Sequence, residues 1–338
     1  MISYWSGKSI SIFQQQCGQS MFFVTDSPYN QPKYSPCAAW NPNAITFTNN
    51  VTIGSNPAVV LVNSNNAVYL TAQSLDLILV WMNGSNDPMR NISANLDKPY
   101  GMFVSIDGDI YAGSGNSSRQ VSKWPWNTMN SVVVMNVSHK CWSLFIDFND
   151  TLYCSINAAH KVLKLSLKGG GNTVETAAGN GINGSAAYML SYPNGIFVDQ
   201  TFNLYVADSW NHRIQLFQPG QLNGTAVAGI EAPGTISLDR PTGVVLDADG
   251  YLFIADYGKN RIVRSGPFGF QCLFGCTGIA GSTSDKLNKP QSLSFDSYGN
   301  LFVVDYGNSR VQKFFLMSNS CGKYMLMSFL PPIDSNKR

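Results

Sequence analysis

Residues 193–217 read PNGIFVDQTFNLYVADSWNHRIQLF, and two later segments repeat this stretch without a gap. They are PTGVVLDADGYLFIADYGKNRIVRS at 241–265 and PQSLSFDSYGNLFVVDYGNSRVQKF at 290–314. Each copy gives a short apolar strand ending in Asp, a polar turn, and a second strand that also ends in Asp. A second turn and a third strand that begins at Arg complete it. The chain is therefore built from a repeated β unit.

Three weaker copies precede these, at 57–81, 99–124 and 141–165. The six copies start at 57, 99, 141, 193, 241 and 290, which is the spacing of propeller blades. A further β-prone piece follows the third strand, such as TVETAAG at 173–179. Four strands in each of six units, without helical periodicity, predict an all-β fold, a six-bladed β-propeller of four-stranded blades.

The last copy lacks an obvious fourth strand, whereas AITFTNN at 44–50 resembles the fourth strands elsewhere. We expect this N-terminal strand to complete blade 6 and close the ring, because closure buries the open edges of a repeat array. The predicted organisation is an N-terminal extension at 1–40, a propeller at 41–318 and a C-terminal tail at 319–338.

The stretches DSWNHRI at 208–214 and DYGNSRV at 305–311 resemble the NHL repeat family. The resemblance covers roughly residues 41–318, is strong in the last three copies and degenerate in the first three. It implies a six-bladed propeller.

One enzyme of this type is the peptidylglycine amidating lyase. Similarity to that enzyme would imply zinc-binding histidines just before the glycine that opens an inner strand. The equivalent positions here hold no histidine: Ala58, Tyr100, Trp142, Asn194, Thr242 and Gln291. We therefore predict no metal, no cofactor and no catalytic residue, and keep a lyase-like metalloenzyme as an alternative.

His212 follows Asp208 and precedes Arg213, which raises the question of a catalytic cluster. Equivalent positions hold Asn260, Ser309, His160 and Asp76, and a general base is not interchangeable with Asn or Ser. The Asp and Arg are instead retained or lost together. We predict structural ion pairs within blades 4 to 6: Asp208 with Arg213, Asp256 with Arg261, and Asp305 with Arg310.

The composition limits the classes of partner. The 338-residue chain has 12% charged residues and a net charge of +2, which gives no overall attraction to nucleic acid or to a membrane surface. No apolar run is long enough to span a bilayer, and the N-terminus lacks the apolar core of a signal peptide. We expect a monomer. RNA binding, which some NHL propellers of tripartite-motif proteins show, is a second alternative.

The seven cysteines suggest three disulfide bonds: Cys141 with Cys154, Cys272 with Cys276, and Cys37 with Cys321 across the ring closure. Cys17 is left over, and free thiols in a reducing compartment remain the alternative. Eight asparagines begin glycosylation sequons: Asn50, Asn83, Asn91, Asn116, Asn136, Asn149, Asn183 and Asn223. Together these features favour an extracellular or lumenal glycoprotein.

Long connections rich in Gly, Asn and Ser join each of the last three blades to the blade before it, at 178–193, 228–241 and 278–290. Long loops on a rigid scaffold are common binding sites. We predict a non-catalytic recognition module that binds a protein, peptide or glycan on this face. Packing between blades is the alternative role for each candidate: Tyr100, Trp142, Asn194, Trp210, Thr242, Tyr257, Gln291 and Tyr306.

Overall fold

The protein is described by a computed structural model that covers residues 29–93, 96–115, 118–169 and 173–321. Six four-stranded antiparallel sheets follow one another along the chain, and each inner strand contacts the inner strands of the two neighbouring sheets. The predicted six-bladed propeller is confirmed.

The strands of each blade are given in order from the central channel outwards. Blade 1 has Pro57–Val62, Val68–Ala72, Leu77–Trp81 and Arg90–Ile92. Blade 2 has Met102–Val104, Ile110–Gly113, Gln120–Trp124 and Val132–Asn136. Blade 3 has Ser143–Ile146, Thr151–Ile156, Lys161–Ser166 and Glu175–Ala178. Blade 4 has Pro193–Val198, Leu204–Asp208, Arg213–Phe217 and Thr225–Gly229. Blade 5 has Pro241–Leu246, Leu252–Asp256, Arg261–Arg264 and Gln271–Phe274. Blade 6 has Pro290–Phe295, Leu301–Asp305, Arg310–Phe314 and Ile45–Thr48.

The helical elements are short. One α-helical turn spans Asn50–Ile53, and 3-10 turns join the second and third strands of five blades. These turns are Gln73–Leu75, Asn157–Ala159, Ser209–Asn211, Tyr257–Lys259 and Tyr306–Asn308. No helix in the described part of the chain is long and apolar enough to cross a membrane.

Ring closure joins the two ends of the repeat array. Ile45–Thr48 pairs with the third strand of blade 6, with Thr46 opposite Gln312, as the sequence predicts. Beyond this pairing, Ala39–Trp40 pairs with Leu316–Ser318, and Cys37 forms a disulfide bond with Cys321. The closure is therefore held by two sheets and one covalent bond.

The two faces of the propeller differ in the connections that they carry. The top face carries the loops from each outer strand to the next inner strand, together with the turns between second and third strands. The bottom face carries the turns between first and second strands. Four of these begin at an Asp whose Oδ1 accepts backbone N–H groups two and four residues later, which stabilises a tight turn: Asp147, Asp199, Asp247 and Asp296.

Burial is greatest in the second strands of the blades and least in the outer strands. The second strands LFIAD and LFVVD are buried at every position, because neighbouring blades cover both of their faces. Outer strands are mostly exposed or half-buried, as in Thr225–Gly229, where only Ala228 is buried. Close approach of inner strands needs glycine: a Cβ on Gly195 would lie 2.5 Å from the carbonyl oxygen of Thr242 in blade 5.

Residues Tyr29–Trp40, here called the N-terminal strap, lie against the bottom face. Asn30 Nδ2 donates to the carbonyl oxygens of Asn63 (2.8 Å) and Phe295 (3.0 Å), which joins blades 1 and 6. The Tyr34 hydroxyl donates to the Gly299 carbonyl at 2.9 Å. Part of the predicted extension is thus packed against the propeller. Residues 1–28 and 322–338 lie outside the described residues, and so do Cys17 and Asn116.

Candidate recognition site at the channel mouth

The central channel is a narrow cavity between the six inner strands, with a volume of about 100 Å³. Tyr29 of the strap lines it at the bottom, where its ring lies 5.3 Å from that of Phe145 and 5.5 Å from that of Phe197. The Phe103 ring lies 6.2 Å away on a third blade. Because the strap closes the lower end, a ligand would approach this channel from the top.

Four of the predicted ligand-binding residues line the channel, namely Trp142, Asn194, Thr242 and Gln291. Asn194 Nδ2 donates to Ser209 Oγ at 2.8 Å, and Thr242 Oγ1 donates to the Pro290 carbonyl at 3.0 Å. All four are half-buried. The mouth therefore presents uncharged amide and hydroxyl groups whose positions are fixed by hydrogen bonds to the scaffold.

Aromatic rings flank these polar groups. Tyr100 and Trp142 come from neighbouring blades, and their ring centroids lie 4.7 Å apart. Lys140 Nζ lies 3.8 Å from the Tyr100 centroid and 4.7 Å from the Trp142 centroid, which is within cation–π range. Burial raises the pKa of Tyr306, and the nearby hydroxyls of Tyr257 and Tyr100 add to this effect. Tyr100 and Trp142 thus form a ring pair at the mouth, and of the predicted aromatic residues Trp142 lines the channel itself.

Trp210 lies further out, on the 3-10 turn of blade 4. It is 61% exposed, and its ring packs against Tyr192 with a centroid separation of 5.0 Å. Tyr192 in turn contacts the ring of His160. The exposed indole is therefore part of an aromatic row on the top face, outside the mouth itself.

Each Asp–Arg pair of blades 4 to 6 is close and buried. The Arg Nε to Asp Oδ2 distances are 2.8 Å for Arg213–Asp208, 2.8 Å for Arg261–Asp256 and 2.7 Å for Arg310–Asp305. All three aspartates are fully buried. Burial raises the pKa of Asp256 and Asp305, and hydrogen bonds from backbone N–H groups and from the arginines oppose that rise. These pairs connect the end of the second strand to the start of the third.

The same pairs also hold the long loops of the top face in place. This second role was not predicted from the sequence. Oδ1 of each aspartate accepts a backbone N–H from the loop that enters its own blade: Ser191 to Asp208 (2.6 Å), Asp239 to Asp256 (2.7 Å) and Asn288 to Asp305 (2.7 Å). The arginines donate to loop carbonyls, for example Arg310 to Ser282 and Lys286. Each pair therefore fastens a loop of the top face to the blade beneath it.

His212 connects two blades. It ends the 3-10 turn in the left-handed region, with φ 53°, and its Nδ1 accepts the backbone N–H of Arg240 at the entrance to blade 5 (3.2 Å). Three other residues at the equivalent position make the same bond to the next blade: Asp76 with Lys98, His160 with Tyr192, and Asn260 with Lys289. An acceptor atom is the shared requirement, which explains why Asp, His and Asn are interchangeable there.

The residues present do not fit a zinc ion in the channel. The positions that a lyase-like site would use hold Ala58, Tyr100, Trp142, Asn194, Thr242 and Gln291, none of which is a usual zinc ligand. Among the described residues, no group of three or more His, Cys, Asp or Glu is placed to hold a metal ion. We therefore derive no metal-dependent step.

Comparison with known proteins identifies two NHL repeats in the chain and a shared fold. The NHL repeat family matches residues 190–217 and 287–314. No curated protein matches the chain in sequence. Among solved structures, a protein of unknown function from Bacteroides thetaiotaomicron is similar with a TM-score of 0.66 and 14% identity, covering 82% of this chain and 76% of that one. A putative gluconolactonase is similar with a TM-score of 0.59 and 12% identity, covering 84% of this chain and 94% of that one. A streptogramin B lyase is similar with a TM-score of 0.57 and 14% identity, covering 86% of this chain and 94% of that one. At these identities the similarity shows the fold alone.

Proposed function

The chain is an NHL-repeat propeller of six blades, and we propose that it is a non-catalytic recognition module for an extracellular protein, peptide or glycan. The observation that carries this proposal is the channel mouth, where the paired rings of Tyr100 and Trp142 adjoin the amide and hydroxyl groups of Asn194, Thr242 and Gln291. The cavity of about 100 Å³ is well below the ~300–1,000 Å³ of pockets that enclose a small molecule. A larger partner that lies across the mouth suits this shape.

Covalent bonding and surface chemistry support an oxidising compartment. The described residues include three disulfide bonds, Cys37–Cys321, Cys141–Cys154 and Cys272–Cys276, and such bonds persist mainly outside the cytosol. Every described sequon asparagine is exposed, which glycosylation requires: Asn50, Asn83, Asn91, Asn136, Asn149, Asn183 and Asn223. We infer an extracellular or lumenal glycoprotein.

The compartment is tested by intact mass of the protein secreted from eukaryotic cells behind an added signal peptide. We expect glycosidase to lower the mass, and reduction before alkylation to reveal six additional thiols. A secreted product without glycans and with free thiols throughout would contradict this placement.

The two alternative functions find less support in these residues. A lyase-like metalloenzyme requires ligands that the channel positions do not supply. For RNA binding, the three equivalent arginines Arg213, Arg261 and Arg310 give no support, because aspartates and loop carbonyls engage them.

The recognition function is tested with a variant of the exposed tryptophan. Multivalent wild-type protein is screened against a library of extracellular proteins and a glycan array, and each hit is measured again with Trp210→Ala. Because an exposed aromatic anchor contributes about 2 kcal/mol to binding, we expect affinity to fall roughly 30-fold. Tyr298→Ala is the matched control, because Tyr298 is 66% exposed on the bottom face and Trp210 is 61% exposed on the top. If every partner binds both variants like the wild type, the aromatic row around Trp210 is not part of the recognition site.

A further inference from the structure

Six residues, each immediately before the start of a sequence repeat (57, 99, 141, 193, 241 and 290), form the inner rim of the top face. In ring order they are Asn56, Lys98, Lys140, Tyr192, Arg240 and Lys289. Four of them are cations. Lys98 and Lys140 enter blades 2 and 3, and Arg240 and Lys289 enter blades 5 and 6 on the opposite side of the channel. We call these four residues the cationic rim.

The backbone of the rim is held in place by the neighbouring blades. The acceptor side chains described above fix the N–H groups of Lys98 at 2.7 Å, Arg240 at 3.2 Å and Lys289 at 2.9 Å. These three residues have φ of 60°, 50° and 55°, and each precedes a proline. Positive φ is costly for residues other than glycine and is concentrated at functional sites. The charges are therefore mounted on a rigid and repeated backbone geometry.

The rim cations have little internal neutralisation. Among the described residues, no carboxylate forms an ion pair with Lys98, Lys140 or Lys289. Arg240 pairs only with the partly exposed Asp239, at 3.3 Å. Lys98, Arg240 and Lys289 are exposed. Their charges are available to a partner.

Aromatic faces accompany the cations on both sides of the channel. Lys140 lies over Tyr100 and Trp142, and the Arg240 guanidinium lies 5.9 Å from the Tyr257 centroid. The amides of Asn194 and Gln291 lie between these two groups. A partner that fits this arrangement has an apolar ring face, hydroxyl groups and negative charge close together.

We propose that the cationic rim and the adjacent aromatic rings bind an acidic glycan, a chain of sugar rings that carry carboxylate or sulfate groups. The C–H face of a pyranose stacks on an aromatic ring, its hydroxyls bond to amides, and its acid groups pair with lysine or arginine. An acidic peptide supplies the charge without the ring face. Single-stranded RNA supplies both, but the disulfide bonds and exposed sequons favour a compartment in which glycans are the more abundant polyanions. This inference rests on the proposed recognition function and names its ligand class.

The test measures binding of a heparin oligosaccharide by calorimetry at several salt concentrations. The rim variant is Lys98→Gln with Lys289→Gln. The matched control is Lys164→Gln with Lys168→Gln, which removes the same charge from sites away from the top face, where the lysines form partly exposed pairs with Glu175 and Asp150. Each lysine that contacts a polyanion adds about one to the slope of log affinity against log salt. We expect the rim variant to bind about tenfold more weakly at low salt, with a slope smaller by about two, and the control to bind like the wild type.

Further probes separate the ligand classes. A neutral oligosaccharide, polyglutamate and single-stranded poly(U) are titrated into the same proteins, and unfolding curves verify that each variant is folded. The inference is overturned if heparin does not bind, if both variants weaken equally, or if polyglutamate or poly(U) binds more tightly than heparin. A partner lost only with Trp210→Ala, together with absent heparin binding, would overturn the ligand class and leave the recognition function standing.

Discussion

Blades 4 to 6 and blades 1 to 3 share one strand plan but fasten their top loops differently. In blades 4 to 6, a buried Asp–Arg pair connects the second strand to the loop that enters the blade. Blade 1 has Ala72 and Leu77 at these positions, and blade 3 has Ile156 and Lys161. The difference follows the length of the loop. The entering loops are 179–192, 230–240 and 275–289 in blades 4 to 6, against 49–56, 93–101 and 137–142 in blades 1 to 3.

A longer loop loses more conformational entropy when it is ordered, so it needs more fixed contacts. The Asp–Arg pair supplies them, because the aspartate accepts a loop N–H while the arginine donates to loop carbonyls. In blade 3 a disulfide bond serves the same junction: Cys141 at the end of the entering loop is bonded to Cys154 in the second strand. The repeat motif is thus a loop anchor, and it is retained where a long loop of the top face requires it.

Breaking the anchor of blade 4 is expected to have the largest effect. Asp208→Ala removes the buried carboxylate partner of Arg213 and leaves this buried arginine paired only with the exposed side chain of Glu231, which costs about 3 kcal/mol in the free energy of unfolding. The double variant Asp208→Ala with Arg213→Leu copies Ala72 and Leu77 of blade 1. We expect it to be more stable than the single variant, because no unpaired charge remains. Urea unfolding measures both.

Hydrogen exchange provides the local readout for this comparison. Both variants are expected to exchange faster at residues 179–192 than the wild type, because the Ser191 N–H loses its acceptor in each. Unchanged exchange in that loop, or a double variant less stable than the single one, would show that the pair does not serve as a loop anchor.

Removing the covalent anchor of blade 3 is expected to have the next largest effect. Cys141→Ala with Cys154→Ala opens a loop of 13 residues and is expected to lower the free energy of unfolding by about 3 kcal/mol. Cys272→Ser with Cys276→Ser is the control, because that bond spans only four residues and does not connect an entering loop to the second strand of its blade. Equal losses in the two variants would argue against a special role for the Cys141–Cys154 bond.

Sequence repetition predicted the blades, the closing strand at 44–50 and the Asp–Arg partners, because each depends on residues that recur at a fixed spacing. It did not predict the rim. Lys98, Arg240 and Lys289 each precede a proline, where an extended backbone is the ordinary expectation. Their positive φ is set by side chains of another blade, such as Asp76 and Asn260. Contacts between repeats cannot be read from a pattern within one repeat.

The smallest expected effect concerns the histidine acceptor that links blades 3 and 4. Burial lowers the pKa of His160 below its usual value of 6.5, against a weaker opposing effect of Asp208. Its Nδ1 accepts the Tyr192 N–H at 3.2 Å, and protonation of that atom removes the acceptor. Because the unfolded chain binds this proton more readily than the folded chain, the stabilising contribution is complete above pH 6.5. It is lost as the pH falls from there through the lower folded pKa.

His160→Asn isolates this contribution, because Asn260 shows that an amide oxygen makes the same bond in blade 5. We expect the stability of wild type relative to the variant to decrease slightly between pH 7 and pH 5, measured by urea unfolding at each pH. The stability of wild type is compared with that of the variant at each pH because burial also raises the pKa of Asp247 to about 6 in both proteins. That raised pKa makes both proteins less stable as the pH rises through the same range, so its effect cancels. A difference independent of pH would mean that the His160 acceptor is not titrated in this window, and that Asp, His and Asn are equivalent there at every pH.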